Sequence, residues 1–283
     1  MLKFEEKMIA FFNKYMVHIG IFLSALFALG IRYIGRKYIG HDYAYLWSQQ
    51  PGNSQSFLYR QLASLVIGRV GYGETAAFLL KLPAFAGDLG IFLLTCHILG
   101  HKWLSKDLLR VFFVLTSIML SPVLLMSSVA GMRLDSLSIC CILLAYILYK
   151  KDRQLPAAII FGLATLFNPI YWFIVGVTCF YALYQYPKRK QGNIIALLYL
   201  TVYLMVGLIL ETATGCGLLY DGILGTLASF LRSIGPGLAT LTLIASFKNR
   251  RLRVPALVLQ VLFLILIGFY QTYHSGVWFV TYS

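Results

Sequence analysis

Long apolar runs separated by short basic turns dominate the chain. They recur at about 16–35, 78–100, 110–128, 135–149, 155–168, 169–186, 193–212, 229–247 and 254–272. Most approach the roughly 17–25 residues a helix needs to cross ~30 Å of hydrocarbon. The runs are continuous rather than alternating, which disfavours a β-barrel. The pattern predicts an all-α, polytopic transmembrane helix bundle of about nine spans. Spans five and six are short and meet at Asn168-Pro169, where proline removes a backbone donor and disfavours helix at the residue before it. The segment 43–77 differs. Phe57, Leu58, Leu62, Leu65 and Val66 fall at helical spacing, with Arg60, Gln61 and Arg69 between them. This predicts an amphipathic helix lying on the outer membrane surface. Pro51-Gly52-Asn53 separates it from a shorter helix at 43–49.

Composition agrees with a membrane protein. Apolar residues make up 59% of the 283, charged ones 12%, and the mean hydropathy is +0.77. The net charge of +14 does not point to nucleic acid, because the basic residues sit in short clusters between apolar runs. Lys102, Lys106 and Arg110 form one cluster, and Lys150, Lys151 and Arg153 another. Lys188, Arg189 and Lys190 form a third, and Lys248, Arg250, Arg251 and Arg253 a fourth. With Lys3, Lys7 and Lys14 they hold two thirds of the 24 basic residues. The positive-inside rule makes these ends cytoplasmic. The N-terminus, 1–15, is then inside, the loop 36–77 outside, the bundle 78–272, and the tail 273–283 outside, all as one membrane domain. The start carries both charge signs and lacks a small-residue cleavage site, so the first run reads as a retained anchor. This implies an integral, multi-pass protein of the plasma membrane, or of the endoplasmic reticulum in a eukaryote. The five cysteines, Cys96, Cys140, Cys141, Cys179 and Cys216, contain no C-x-x-C pair and read as small packing residues.

The ten acidic residues separate by side. Glu5, Glu6, Asp107 and Asp152 accompany the cytoplasmic bases, whereas Asp42, Glu74, Asp88, Asp135, Glu211 and Asp221 fall outside or in the outer half of a span. Carboxylates within hydrocarbon are costly and mark polar cavities. Asp42 follows Gly40-His41 and precedes Tyr43, Tyr45 and Trp47, at the water–lipid boundary. It is the candidate general base, or else a cap on the short helix near Tyr43. Glu74, after Gly-Tyr-Gly, reads as a loop charge. Tyr171 and Trp172 read as an interfacial belt.

Several short motifs occur in an order that resembles the GT-C membrane glycosyltransferases, which use polyprenyl-phosphate sugars. Ile31-Arg32 closes the first span, and Asp42-Tyr43 follows in the first external loop. Lys81-Leu82-Pro83 with Asp88 resembles the K-L-P-x-x-x-x-D opening of the next span. Ser128–Ser136, which reads SVAGMRLDS, resembles W-G-Q-x-D-S, and Gly162–Pro169, which reads GLATLFNP, resembles G-L-A-x-x-x-K-P. Ala130 and Met132 stand where relatives have Trp and Gln, and Asn168 where they have Lys. The likeness covers about residues 15–190.

The resemblance implies inverting transfer of a hexosyl, mannosyl-like group to a lipid-linked or cell-surface glycan acceptor on the outer face. Asp42 would be the base. Lys81 and Arg133 would lie near the phosphate, Asp135 near the acceptor or a metal, and Asp88 in the wall of the donor cavity. Arg60 would be a further donor contact or a headgroup-facing charge. His41 with Asp42 could hold a divalent cation, Mg or Mn. From the residues alone Asp88 could instead form an intramembrane ion pair, Lys81 could snorkel, and Asp135 could favour a helix start. The competing functions are a non-catalytic GT-C-like subunit and a lipid or solute transporter. A transporter would place its charges nearer the membrane midplane.

Overall fold

The computed structural model describes residues 2–37, 57–100, 104, 108–130, 133–168 and 222–275. Among them the structure is helical throughout and holds no strand. The elements are α1 (Leu2–Ile34) with a 3-10 turn (Gly35–Lys37), α2 (Phe57–Val70), α3 (Glu74–Leu99) and α4 (Leu108–Met119). Then come α5 (Pro122–Leu125) with a π-helical stretch (Met126–Ala130), α6 (Asp135–Lys150) and α7 (Gln154–Phe167). The last are α8 (Gly222–Lys248), a 3-10 turn (Arg250–Leu252) and α9 (Arg253–Ser275). The expected spans at 169–186 and 193–212, the helix at 43–49 and His41, Asp42, Glu211 and Asp221 lie outside the described residues. So do Lys102, Lys106, Tyr171, Trp172, Cys179 and Cys216.

Among the described residues two helices are long and apolar enough to cross a membrane, Tyr15–Ile34 and Glu74–Leu99. The run expected as one span at 110–128 is bent by 43° between Met119 and Pro122. Pro122 takes the first position of a new helix, where its missing N–H leaves no intrahelical bond unmade. Shorter apolar helices cover Pro156–Thr165 and Ile234–Lys248. Large apolar side chains stand on the outside, with Phe22 66% exposed and Val254 72%. Patches of that kind on a helical protein suit a membrane or another apolar surface.

Helix association in lipid gains little from the hydrophobic effect and rests on close backbone approach and polar contacts. Both occur here. A Cβ on Gly87 would lie 2.7 Å from the Leu137 backbone nitrogen, and one on Gly90 would lie 2.6 Å from the Cys140 sulfur. α3 and α6 therefore run side by side in the same direction. α1 runs against them, since Arg32 meets Asp88 while the following Gly35 meets the earlier Lys81. The Lys248 Nζ donates to the Ile98 carbonyl at 2.7 Å, so α8 finishes at the same end as α3. The main core joins Ala28, Phe92, Val114, Ile139 and Phe247.

One expectation needs correction. Glu74 is the first residue of α3 rather than a loop charge; a carboxylate in a first turn suits the helix dipole. On α2 the buried stripe is Tyr59, Ala63 and Ile67, whereas Leu65 is 54% exposed. The small Ala63 permits close packing against Ala76, Ala77 and Leu80, and the Tyr59 hydroxyl donates to the Leu80 carbonyl at 2.8 Å. One face of α2 is thus turned onto protein.

Candidate functional site

Buried charge concentrates where α1, α3, α6 and α7 meet. Arg32, in the last turn of α1, donates its Nε to Asp88 Oδ2 at 2.7 Å, and both side chains are fully buried. Its Nη1 donates to the Ala28 carbonyl at 3.2 Å, while Nη2 has no partner among the described residues. The other oxygen of Asp88 accepts from Ser136 Oγ. Gly87 makes this possible, because only a residue without a side chain lets α3 come so near the start of α6.

Ser136 follows Asp135, the centre of a second network. Asp135 Oδ2 accepts from Arg133 Nε at 3.0 Å and from Ser127 Oγ at 2.7 Å. Its Oδ1 accepts from Arg133 Nη2 at 3.4 Å and from the Asn168 amide. Ser127 lies in the π-helical stretch, and its carbonyl accepts the Arg133 N–H at 3.0 Å. π-helical turns are rare and recur at functional positions. Asn168 caps α7 in an extended conformation, φ −146° and ψ 112°, as the residue before a proline must be. Ser138 Oγ adds a bond to the Ala164 carbonyl at 2.8 Å, so the end of α7 is tied to the start of α6 at two points.

Lys81 is fully buried and donates to the carbonyls of Gly35 and Arg36, each at 3.2 Å. Its ammonium thus holds the C-terminal turn of α1, where carbonyls lack helical partners. That turn leads within a few residues to His41 and Asp42. Arg60 is half-buried, and its Nε and Nη2 have no partner among the described residues.

The structure therefore brings Lys81, Asp88, Arg133 and Asp135 to one region, with Arg60 on α2, which packs on α3. Arg32, Ser127, Ser136 and Asn168 join the same network. The sequence marked Arg32 as the close of a span and Asn168 as a break between spans and a substitution, not as site residues. An arginine inside the end of an apolar run signals a need for a partner, but six outer carboxylates were candidates.

Both buried carboxylates of this region are hydrogen-bonded: Asp88 accepts from two groups, and Asp135 from three through four contacts. Asp135 thereby uses all of its roughly four lone-pair positions and Asp88 about half of them. Three buried cations, Arg32, Lys81 and Arg133, lie in this region beside the buried Asp88 and Asp135. Among the described residues no group of three His, Cys, Asp or Glu could hold a metal ion. No family model, curated protein or solved structure matches the chain.

Proposed function

We propose that the chain is a multi-pass membrane glycosyltransferase of the GT-C type, with about nine spans and a cytoplasmic N-terminus. It transfers a hexosyl group from a polyprenyl-phosphate sugar to a glycan acceptor on the outer face. One observation carries the reading. Three buried cations, Arg32, Lys81 and Arg133, are gathered with two buried carboxylates near the turn of α1 that leads in sequence to Asp42. In the reaction the acceptor hydroxyl attacks the anomeric carbon and Asp42 takes its proton. The bond from that carbon to the phosphate oxygen breaks, and the lipid phosphate leaves with the electron pair. Asp88 and Asp135 are already tied to Arg32, Ser136, Arg133, Ser127 and Asn168, which favours Asp42 as the base. Arg32, Lys81 and Arg133 supply positive potential toward the departing phosphate. A divalent cation at His41 and Asp42 would serve the same purpose.

The test is transfer from radiolabelled polyprenyl-phosphate sugars in proteoliposomes. Transfer is expected for the wild type and a loss of about a hundredfold or more for Asp42→Asn. Equal rates would remove Asp42 as the base. The second reading, a non-catalytic membrane subunit, is favoured by the hydrogen bonds that already engage the buried Asp88 and Asp135. It gains if no donor in a panel is used.

A further inference from the structure

At the end of the bundle away from the buried ion pairs, two helix hairpins present basic residues together. α3 and α6 run in parallel through the Gly87–Leu137 and Gly90–Cys140 contacts, and Lys248 of α8 reaches the Ile98 carbonyl. The three helices therefore finish at one level. The α6–α7 turn carries Lys150, Lys151 and Arg153, and the α8–α9 turn carries Arg250, Arg251 and Arg253. All six are exposed, and among the described residues none forms an ion pair. Asp152 is the only acidic residue in either turn.

Helix C-termini favour cations by themselves, but that accounts for Lys150 and Lys248 better than for Arg250, Arg251 and Arg253. Those three stand in a 3-10 turn and at the start of the next helix. The turn is fixed by Asn249, whose side chain accepts from the Arg251 N–H at 3.1 Å. Directly beyond Arg253, Val254 is 72% exposed and Leu257 68%; beside Lys150, Tyr149 is 46% exposed. Exposed aliphatic and tyrosine side chains adjoining unpaired guanidinium groups match the boundary between acyl chains and headgroups.

We infer that the 150–153 and 250–253 turns form one docking surface for anionic phospholipid headgroups. The inference rests on the membrane placement proposed above, but not on any catalytic role. An acidic soluble protein would meet the charges and leave Val254 and Leu257 in water, whereas a lipid satisfies both.

The detergent-solubilised full chain is titrated with phosphatidylglycerol, phosphatidylcholine or inorganic phosphate. Thermal unfolding is followed, and bound lipid is counted by native mass spectrometry. Phosphatidylglycerol is expected to bind and raise the unfolding temperature, with the effect fading at high salt. Phosphatidylcholine and phosphate are expected to do neither. Replacing Arg250, Arg251 and Arg253 with Gln is expected to weaken phosphatidylglycerol binding by about tenfold or more while helical content is kept. Replacing Lys150, Lys151 and Arg153 with Gln serves the same purpose if the first variant does not fold. Equal binding of the two lipids, a shift reproduced by phosphate, or undiminished binding by folded variants would overturn the inference. Release of the chain from native membranes by alkaline carbonate would separately overturn the membrane placement.

Discussion

Asn168 donates its side-chain amide to Asp135, joining the cap of α7 to the first residue of α6. The amide serves a buried carboxylate that Arg133 and Ser127 already hold. Replacement by Ala would remove one donor from Asp135 and cost about 1–3 kcal/mol. Replacement by Asp would set two carboxylates against one arginine and destabilise further. Thermal unfolding followed by circular dichroism should rank wild type above Asn168→Ala, and Asn168→Ala above Asn168→Asp; the reverse order of the variants would contradict the geometry.

The Arg32–Asp88 pair predicts strong coupling. Removing Arg32 alone strands a fully buried carboxylate, a loss of about 3–5 kcal/mol. Removing both partners leaves a polar gap but no orphan charge. The double variant Arg32→Ala, Asp88→Ala should therefore lose clearly less than the sum of the single losses. Additive losses in a double-mutant cycle would mean the pair contributes nothing as a pair.

Gly87→Ala places a methyl group 2.7 Å from the Leu137 backbone nitrogen. Overpacking against backbone costs about 1–3 kcal/mol. Gly68, on α2, has nothing within 4 Å of a built Cβ, and Gly68→Ala should be neutral or stabilise by about 0.5–1 kcal/mol. Urea titration of the two variants side by side gives the contrast; equal midpoints would be inconsistent with the close approach.

Asp152 has φ 58°, in the left-handed region that glycine enters freely. It ends α6, and the Arg153 N–H returns to the Leu148 carbonyl at 3.0 Å. Asp152→Gly should raise stability by about 0.5–1 kcal/mol, and Asp152→Val should lower it by more, since a β-branched residue is poorly accommodated there. Melting temperatures of the two variants provide the check.

Helix positions were legible where apolar runs were long, as at Tyr15–Ile34 and Glu74–Leu99. The apolar positions of α2 announced a helix, and two of them, Leu62 and Val66, pack against the cluster it shares with α3. Ala63 and the hydroxyl of Tyr59, which also hold it to α3, lay outside that pattern. Proline at 122 was visible as a residue, yet apolar content alone ran the span straight across it. Lys81, Asp88, Arg133 and Asp135 were legible as out-of-place charges. Their partners were not, because pairing depends on which helices pack together. Arg32 and Asp88 are 56 residues apart, and Asp135 and Asn168 are 33 apart. Lys81 was legible as a charge within an apolar run, but its bonds to the carbonyls of Gly35 and Arg36, 46 and 45 residues away, were not.

The spacing of Arg32 and Asp88 also governs how the chain is made. Arg32 leaves the ribosome 56 positions ahead of its carboxylate. During that interval the guanidinium lacks the partner it has in the folded chain. Were α1 to enter a bilayer by itself, Arg32 would have to reach toward the headgroups; its fully buried place beside Asp88 opens only once α3 has been made.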